Sequence, residues 1–67
     1  MKKVVKVNGM NCNHCEMHVQ DAIEELDGVL NVKADHNTGT VEIECNKEVP
    51  DDMIKTAVEE AGYEFAQ

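Results

Sequence analysis

The chain has 67 residues, three of them cysteines, and its 14 acidic against 6 basic side chains give a net charge of -8. This length predicts one domain spanning residues 1–67, near the lower size at which a single core folds without help. The charge excludes nucleic acid and anionic membrane surfaces as partners, because both are bound through clustered Lys and Arg. An odd number of cysteines cannot be fully paired, and the first residues lack a long apolar segment, so we expect a reducing cytoplasm as the location.

The first predicted elements are a strand and a helix with two cysteines between them. Residues 2–8 are rich in β-branched side chains, which predicts a strand ended by Gly9. Residues 9–15 then read GMNCNHC, and from Cys15 onward the pattern is that of an amphipathic helix. Its apolar positions recur at helical spacing, namely Val19, Ala22, Ile23 and Leu26. We expect this helix to end at Gly28, which suits the left-handed C-terminal position.

The second half of the chain predicts a hairpin, a helix and a last strand. Residues 29–35 and 40–45 alternate in polarity and are joined by an Asn-Thr-Gly turn. A second helix begins at Pro50 and ends at Gly62, and residues 63–66 form a short final strand. This order predicts an α+β fold, a ferredoxin-like βαββαβ sandwich whose four-stranded antiparallel sheet carries both helices on one face.

Cys12 and Cys15 lie where the first strand meets the first helix, and their spacing predicts a metal site. A loop that turns into a helix points both sulfurs to one end, and the unpaired N–H groups there favour thiolates. Thiolates are soft ligands that suit Cu(I), with zinc and heavier soft ions as competitors. Two sulfurs are too few for a closed structural zinc site. The alternative chemistry is a thiol-disulfide oxidoreductase with Cys12 as its nucleophile.

Several stretches together resemble the heavy-metal-associated domain across essentially the whole chain: GMNCNHC, the helix after it, GVLNVKADHNTGTVEIEC and Gly62-Tyr63. The family motif is Gly-Met-Thr/Ser-Cys-x-x-Cys, from which Asn11 departs. Within the family the chain is most similar to bacterial copper chaperones. The resemblance implies a carrier and not an enzyme, which binds Cu(I) at Cys12 and Cys15. It also implies transfer by thiolate exchange to the soluble metal-binding domain of a copper-transporting P-type ATPase.

The resemblance leaves two other functions open, a Zn, Cd or Hg carrier and a detached metal-binding domain of such an ATPase. The absence of an export segment lowers the mercury option, and the start at Met1 favours a free-standing protein. We expect a monomer without metal and a copper-bridged homodimer as a further state, because two copies together offer four exposed thiols.

Three residues around the thiols are predicted to influence the metal: Met10, His14 and Tyr63. The resemblance implies that Met10 turns inward to support the loop, although its thioether is also a soft ligand. It also implies that Tyr63 shields the metal and bonds a sulfur through its hydroxyl, the alternative being an aromatic ring that closes the core. His14 either favours the thiolates through its charge or faces water.

The predicted strand order also assigns residues to the two ends of the sheet. The turn at 36–39 and the corner at 62–63 belong to the end that carries the metal loop. Cys45 lies five residues after the start of its strand, which puts it on the order of 17 Å from the metal loop. We expect it to be a small buried apolar residue. We expect His18 and His36 to be solvated, and the loop from Gly9 to Cys15 to be the least ordered region without metal.

Overall fold

The computed structural model describes residues 1–66, and its elements follow the predicted βαββαβ order. The elements are β1 (Lys2–Asn8), α1 (Asn13–Glu24), β2 (Val29–Asp35), β3 (Thr40–Cys45), α2 (Asp51–Glu60) and β4 (Glu64–Phe65). The four strands form one antiparallel sheet in the order β2-β3-β1-β4. The prediction of a ferredoxin-like sandwich is therefore confirmed. Within residues 1–66 no helix has the length and apolar character that crossing a membrane requires.

The core lies between one face of the sheet and the two helices. Alternate residues of β1 and β3 point into it, because successive side chains of a strand face opposite sides. The buried members are Val5, Val7, Met10, Val19, Ile23, Val32, Ala34, Val41, Ile43, Cys45, Val49, Ile54, Ala57 and Val58. Ile23, Ile43 and Ile54 are 0% exposed, and burying each contributes about 1.5–3 kcal/mol. Both helices therefore pack on the same face of the sheet, and the other face is open to solvent.

The register of the sheet brings the β2–β3 turn beside the loop that follows β1. Lys6 pairs with Thr40, and the Val7 N–H donates to the Gly39 carbonyl over 2.8 Å. Lys2 pairs with Glu44, so Cys45 lies beyond the other end of β1. The predicted separation of Cys45 from the metal loop follows from this pairing.

Helix α1 differs from its predicted bounds at both ends. It begins at Asn13, two residues before Cys15, because Cys12 has an extended backbone (φ -160°, ψ 176°) and occupies the N-cap. It ends at Glu24 and not at Gly28, the predicted end. The chain tightens there, since the Leu26 N–H donates to the Ile23 carbonyl three residues back at 3.0 Å. Gly28 instead forms the left-handed turn into β2, with φ +97°.

The last strand is shorter than predicted, covering Glu64–Phe65 where residues 63–66 were expected. The backbone of Tyr63 caps the C-terminal end of α2, because its N–H donates to the Val58 carbonyl over 3.1 Å. A six-residue closure of this kind is typical of a helix C-terminus. Ala66 still donates its N–H to the Lys6 carbonyl over 2.8 Å. The corner at Tyr63 is therefore held by α2 and lies next to the end of β1.

Candidate metal centre

Gly9 and Met10 fix the path of the chain from β1 into the loop. Gly9 has φ +99°, a left-handed backbone conformation that residues with a side chain rarely adopt. Met10 then turns inward and is 6% exposed, as one of the core residues. The loop is thus anchored to the core by one side chain directly before the first thiol. The inward direction expected for Met10 is what the structure has.

The two thiols that follow come together at the N-terminus of α1. Cys12 is exposed and Cys15 is half-buried, and their sulfurs lie 3.4 Å apart. A Zn–S bond of about 2.3 Å allows two sulfurs on one ion to be up to about 4.6 Å apart, so both reach a single ion. Among residues 1–66, no group of three or more His, Cys, Asp or Glu side chains is arranged to hold a metal. The pair is therefore an open site with two protein sulfurs.

The surroundings of Cys15 favour its thiolate form. Hydrogen bonds lower the pKa of Cys15 to about 7. The largest effect comes from the Asn11 backbone, followed by the side chains of Tyr63 and Cys12. Partial burial acts in the opposite direction and is outweighed. The thiolate of Cys15 is thus more populated near neutral pH than that of an ordinary cysteine. A preformed thiolate is the state that a soft cation binds.

The ring of Tyr63 lies against the start of the metal loop, at Gly9. An added Cβ on Gly9 would lie 3.5 Å from Tyr63 Cδ1, so ring and loop are in van der Waals reach. Hydrogen bonding to Cys15, followed by desolvation, raises the pKa of the Tyr63 hydroxyl. The hydroxyl therefore stays protonated at neutral pH, which is the form that can donate to sulfur. The half-buried ring also packs against the edge of the core, as the alternative interpretation of this residue expects.

The histidines have different environments. His14 is exposed in the first turn of α1, and His18 is exposed one turn later. The expectation that His36 is solvated was wrong. Its side chain is 26% exposed, and Glu16 Oε2 lies 2.6 Å from both its backbone nitrogen and its Nδ1. These bonds lower the pKa of the Glu16 carboxyl, the backbone N–H of His36 having the larger effect.

The bond between Glu16 and His36 joins the first turn of α1 to the β2–β3 turn. Sequence reasoning missed it, because the two residues are 20 positions apart. One clue was available, since the strand order already put the turn at 36–39 at the metal end. A carboxylate one residue after Cys15 is a natural partner for a polar turn residue there. This bond adds a third support to the metal loop, beside the buried Met10 and the corner at Tyr63.

Fold and site together define a class of protein: a small ferredoxin-like domain with an exposed thiol pair at the start of its first helix. The sequence profile of the heavy-metal-associated domain matches residues 4–64, and the chain belongs to this family. Proteins of this kind are metal carriers and not enzymes, which agrees with the prediction that the chain catalyses no reaction.

Individual relatives cover nearly the whole chain. The copper chaperone CopZ of Staphylococcus epidermidis is 36% identical over 64 residues, covering 94% of this chain and 94% of its own. A solved CopZ metallochaperone matches with a TM-score of 0.91 at 28% identity, covering 98% of this chain and 100% of that one. The N-terminal domain of a potential copper-translocating P-type ATPase from Bacillus subtilis, in its Cu(I)-loaded state, matches with a TM-score of 0.83 at 28% identity. That match covers 96% of this chain and 81% of that one.

Proposed function

We propose that this protein is a cytoplasmic copper chaperone that carries Cu(I) between the thiolates of Cys12 and Cys15. Its recipient is the soluble metal-binding domain of a copper-transporting P-type ATPase. The observation that carries the proposal is the pair of sulfurs 3.4 Å apart at an exposed helix N-terminus. Relatives that are copper chaperones and ATPase domains support the same metal and the same recipient.

The donor set favours Cu(I) over harder ions. Two thiolates satisfy a soft monovalent ion, whereas zinc prefers four ligands and would need water or a second protein to complete its shell. The helix N-terminus helps to balance the negative charge of a two-thiolate complex. The open side of the site, where Cys12 is exposed, is the side on which a partner can approach.

The residues around the thiols have supporting roles in this proposal. Met10 anchors the loop through its burial and leaves the metal to the cysteines. Tyr63 covers one side of the copper and donates its hydroxyl to Cys15, which limits access of water to that sulfur. His14 adds an imidazole beside the pair and favours the thiolates when it is protonated.

Transfer proceeds by ligand exchange without a change in oxidation state. A thiolate of the partner bonds to the copper from the exposed side and gives a three-sulfur intermediate. One Cu–S bond to the chaperone then breaks, and that thiolate leaves with its charge. A second exchange moves the copper fully onto the partner. In the absence of a partner, two copies share one copper through their four cysteines as a copper-bridged homodimer.

The test is a competition titration of the reduced protein with Cu(I) against a chromophoric chelator of known affinity, repeated with Zn(II). We expect one copper per monomer, bound far more tightly than zinc, and loss of tight binding in Cys12→Ser and in Cys15→Ser. Cys45→Ala is the matched control, since it removes the third thiol and leaves the site intact. Tighter binding of zinc than copper, or copper binding that survives either serine variant, contradicts the proposal.

A second candidate is a metal-binding domain that is part of a copper-transporting ATPase. The observation in its favour is the structural match to the Bacillus subtilis domain at 28% identity. The two candidates share their metal chemistry and differ in the length of the native polypeptide. An antibody against this domain, used on fractionated cells, separates them. A soluble band of about the 7.5 kDa of this chain supports the chaperone. A membrane-bound band many times larger supports the ATPase.

A further inference from the structure

The exposed side of α1 carries a pair of histidines that are not ligands of the proposed copper site. His14 and His18 are four residues apart in α1, and both are exposed. Residues at this spacing are neighbours on a helix surface, with about 5–6 Å between their Cβ atoms. Two imidazoles in that arrangement reach the same ion. Of the three histidines in residues 1–66, His36 is the one that bonds a carboxylate, so it is not available in the same way.

The pair lies on a different stripe of α1 from Cys15 and next to negative charge. Cys15 follows His14 by one residue, which turns it by about 100° around the helix axis, towards the core. Asp21 lies three residues after His18 on the same stripe of α1, and Glu25 lies seven residues after His18, just beyond the end of the helix. Both are exposed. The stretch Asn13–Glu24 contains no Lys or Arg. A cation at the histidine pair therefore meets an acidic surface on a protein of net charge -8.

The donor chemistry of this pair differs from that of the two sulfurs. Imidazole nitrogen suits borderline divalent ions such as Zn(II), Cu(II) and Ni(II), whereas thiolate selects the softer Cu(I). Two nitrogens leave the remaining positions of such an ion to water. The result is an open site of modest affinity in which neither ligand comes from the metal loop's thiols.

We propose that His14 and His18 form a second metal site, which binds a hydrated divalent cation with zinc as the representative ion. This site goes beyond the proposed copper transport and does not depend on it, because neither imidazole belongs to the thiol pair. It would allow the domain to hold a divalent ion one helical turn from its copper. The acidic side chains of Asp21 and Glu25 raise the local concentration of such ions without contacting them directly.

The test removes the thiol site first. The full chain with Cys12→Ser and Cys15→Ser is titrated with Zn(II) at neutral pH, and the histidine ring resonances are followed by NMR. We expect saturable shifts at the rings of His14 and His18 with one common binding constant, and none at His36. Adding His18→Gln or His14→Asn should weaken binding at least about tenfold, as the loss of even a supporting partner does at metal sites.

Met17→Ala is the matched control, because Met17 is exposed in the same turn of α1 and offers no imidazole. This variant should bind zinc as the parent does. Equal affinity in the single-histidine variants would overturn the proposal, since each imidazole would then act alone. So would shifts of His36 with the same binding constant, which would indicate non-specific association with histidine. The test contains no copper, so its outcome is independent of the copper titration.

Discussion

The two ends of the sheet place the same functional group, a thiol, in opposite surroundings. At one end Cys12 is exposed and Cys15 is half-buried, with their sulfurs 3.4 Å apart at the start of α1. At the other end Cys45 is 2% exposed and packs in the core at the end of β3. The cysteines differ in their position relative to a helix N-terminus and to solvent.

This difference predicts which thiols are chemically reactive. The Asn11 backbone and the Tyr63 hydroxyl favour a negative charge on Cys15, while Cys45 has the surroundings of a small apolar residue. At the exposed end Met10 belongs to the core and Cys15 and Tyr63 pack against it, whereas Cys45 at the other end lies wholly within the core. We therefore expect metal binding and stability to depend largely on different residues, and four predictions test how complete that separation is.

The largest expected effect is on alkylation. Iodoacetamide should modify Cys12 and Cys15 at neutral pH at least about a hundredfold faster than Cys45. Cys45 reacts only when the domain opens, and a domain of this size is stabilised by roughly 3–10 kcal/mol. Initial rates for each cysteine are read by mass spectrometry of digested peptides from the metal-free protein. In denaturant all three thiols should react at similar rates. Similar rates under native conditions would contradict the burial of Cys45.

Much of this contrast was predictable from the sequence. The period-two pattern of residues 40–45 identified β3, and the strand order put Cys45 at the end away from the loop. The Gly-Met prefix and the spacing of Cys12 and Cys15 identified the exposed end. These inferences succeeded because they depend on local periodicity and on a small set of allowed topologies.

Other features depend on tertiary contacts or on atypical caps and were not predictable in the same way. Helix α1 begins two residues early because a cysteine occupies its N-cap, a position where Ser, Thr, Asp or Asn is usual. The contact between Glu16 and His36 exists only because the fold brings the β2–β3 turn to α1. Propensity describes neither, since one is an unusual N-cap residue and the other a contact between residues far apart in the sequence.

The next largest expected effect is on the free energy of unfolding, when a cysteine at each end of the sheet is changed to serine. Cys45→Ser places a hydroxyl in the core and should lower the free energy of unfolding by about 1–3 kcal/mol. Cys12→Ser should not destabilise the metal-free domain and should stabilise it by up to about 1 kcal/mol. The reason is that Cys12 makes no capping hydrogen bond with its side chain, whereas serine is a preferred N-cap. Urea unfolding of the reduced, metal-free variants measures both.

The opposite signs sharpen the comparison. Cys45→Ser should keep its copper affinity while it loses stability, and Cys12→Ser should lose tight copper binding while it keeps stability. A destabilised Cys12→Ser would mean that its sulfur also supports the fold. A neutral Cys45→Ser would mean that the core at the end of β3 admits a partner for the hydroxyl.

The smallest expected effect concerns the hydroxyl that joins Tyr63 to the metal end. Tyr63→Phe keeps the ring against the loop and removes a hydrogen bond to Cys15. The pKa of Cys15 should therefore rise from about 7 towards its ordinary value of 9.0, without reaching it, because the bond from the Asn11 backbone remains. The pH dependence of Cys15 alkylation gives the midpoint. Thr56→Val is the matched control, since it also removes a hydroxyl, one that donates to the Asp52 carbonyl in α2. An unchanged midpoint in Tyr63→Phe would show that the hydroxyl does not act on this sulfur.

The same pKa links the thiol to stability. The folded-state pKa of Cys15 lies below its ordinary value, so the stabilisation is fully present above pH 9.0 and is lost as pH falls through about 7. The free energy of unfolding of the metal-free protein should thus rise between these two pH values. The rise should be smaller in Tyr63→Phe, and Cys15→Ser should remove this thiol's share of it. Urea unfolding at a series of pH values measures the slope. A slope that Cys15→Ser leaves unchanged would assign the pH dependence to other groups and would remove Cys15 as the link between the metal end and the rest of the fold.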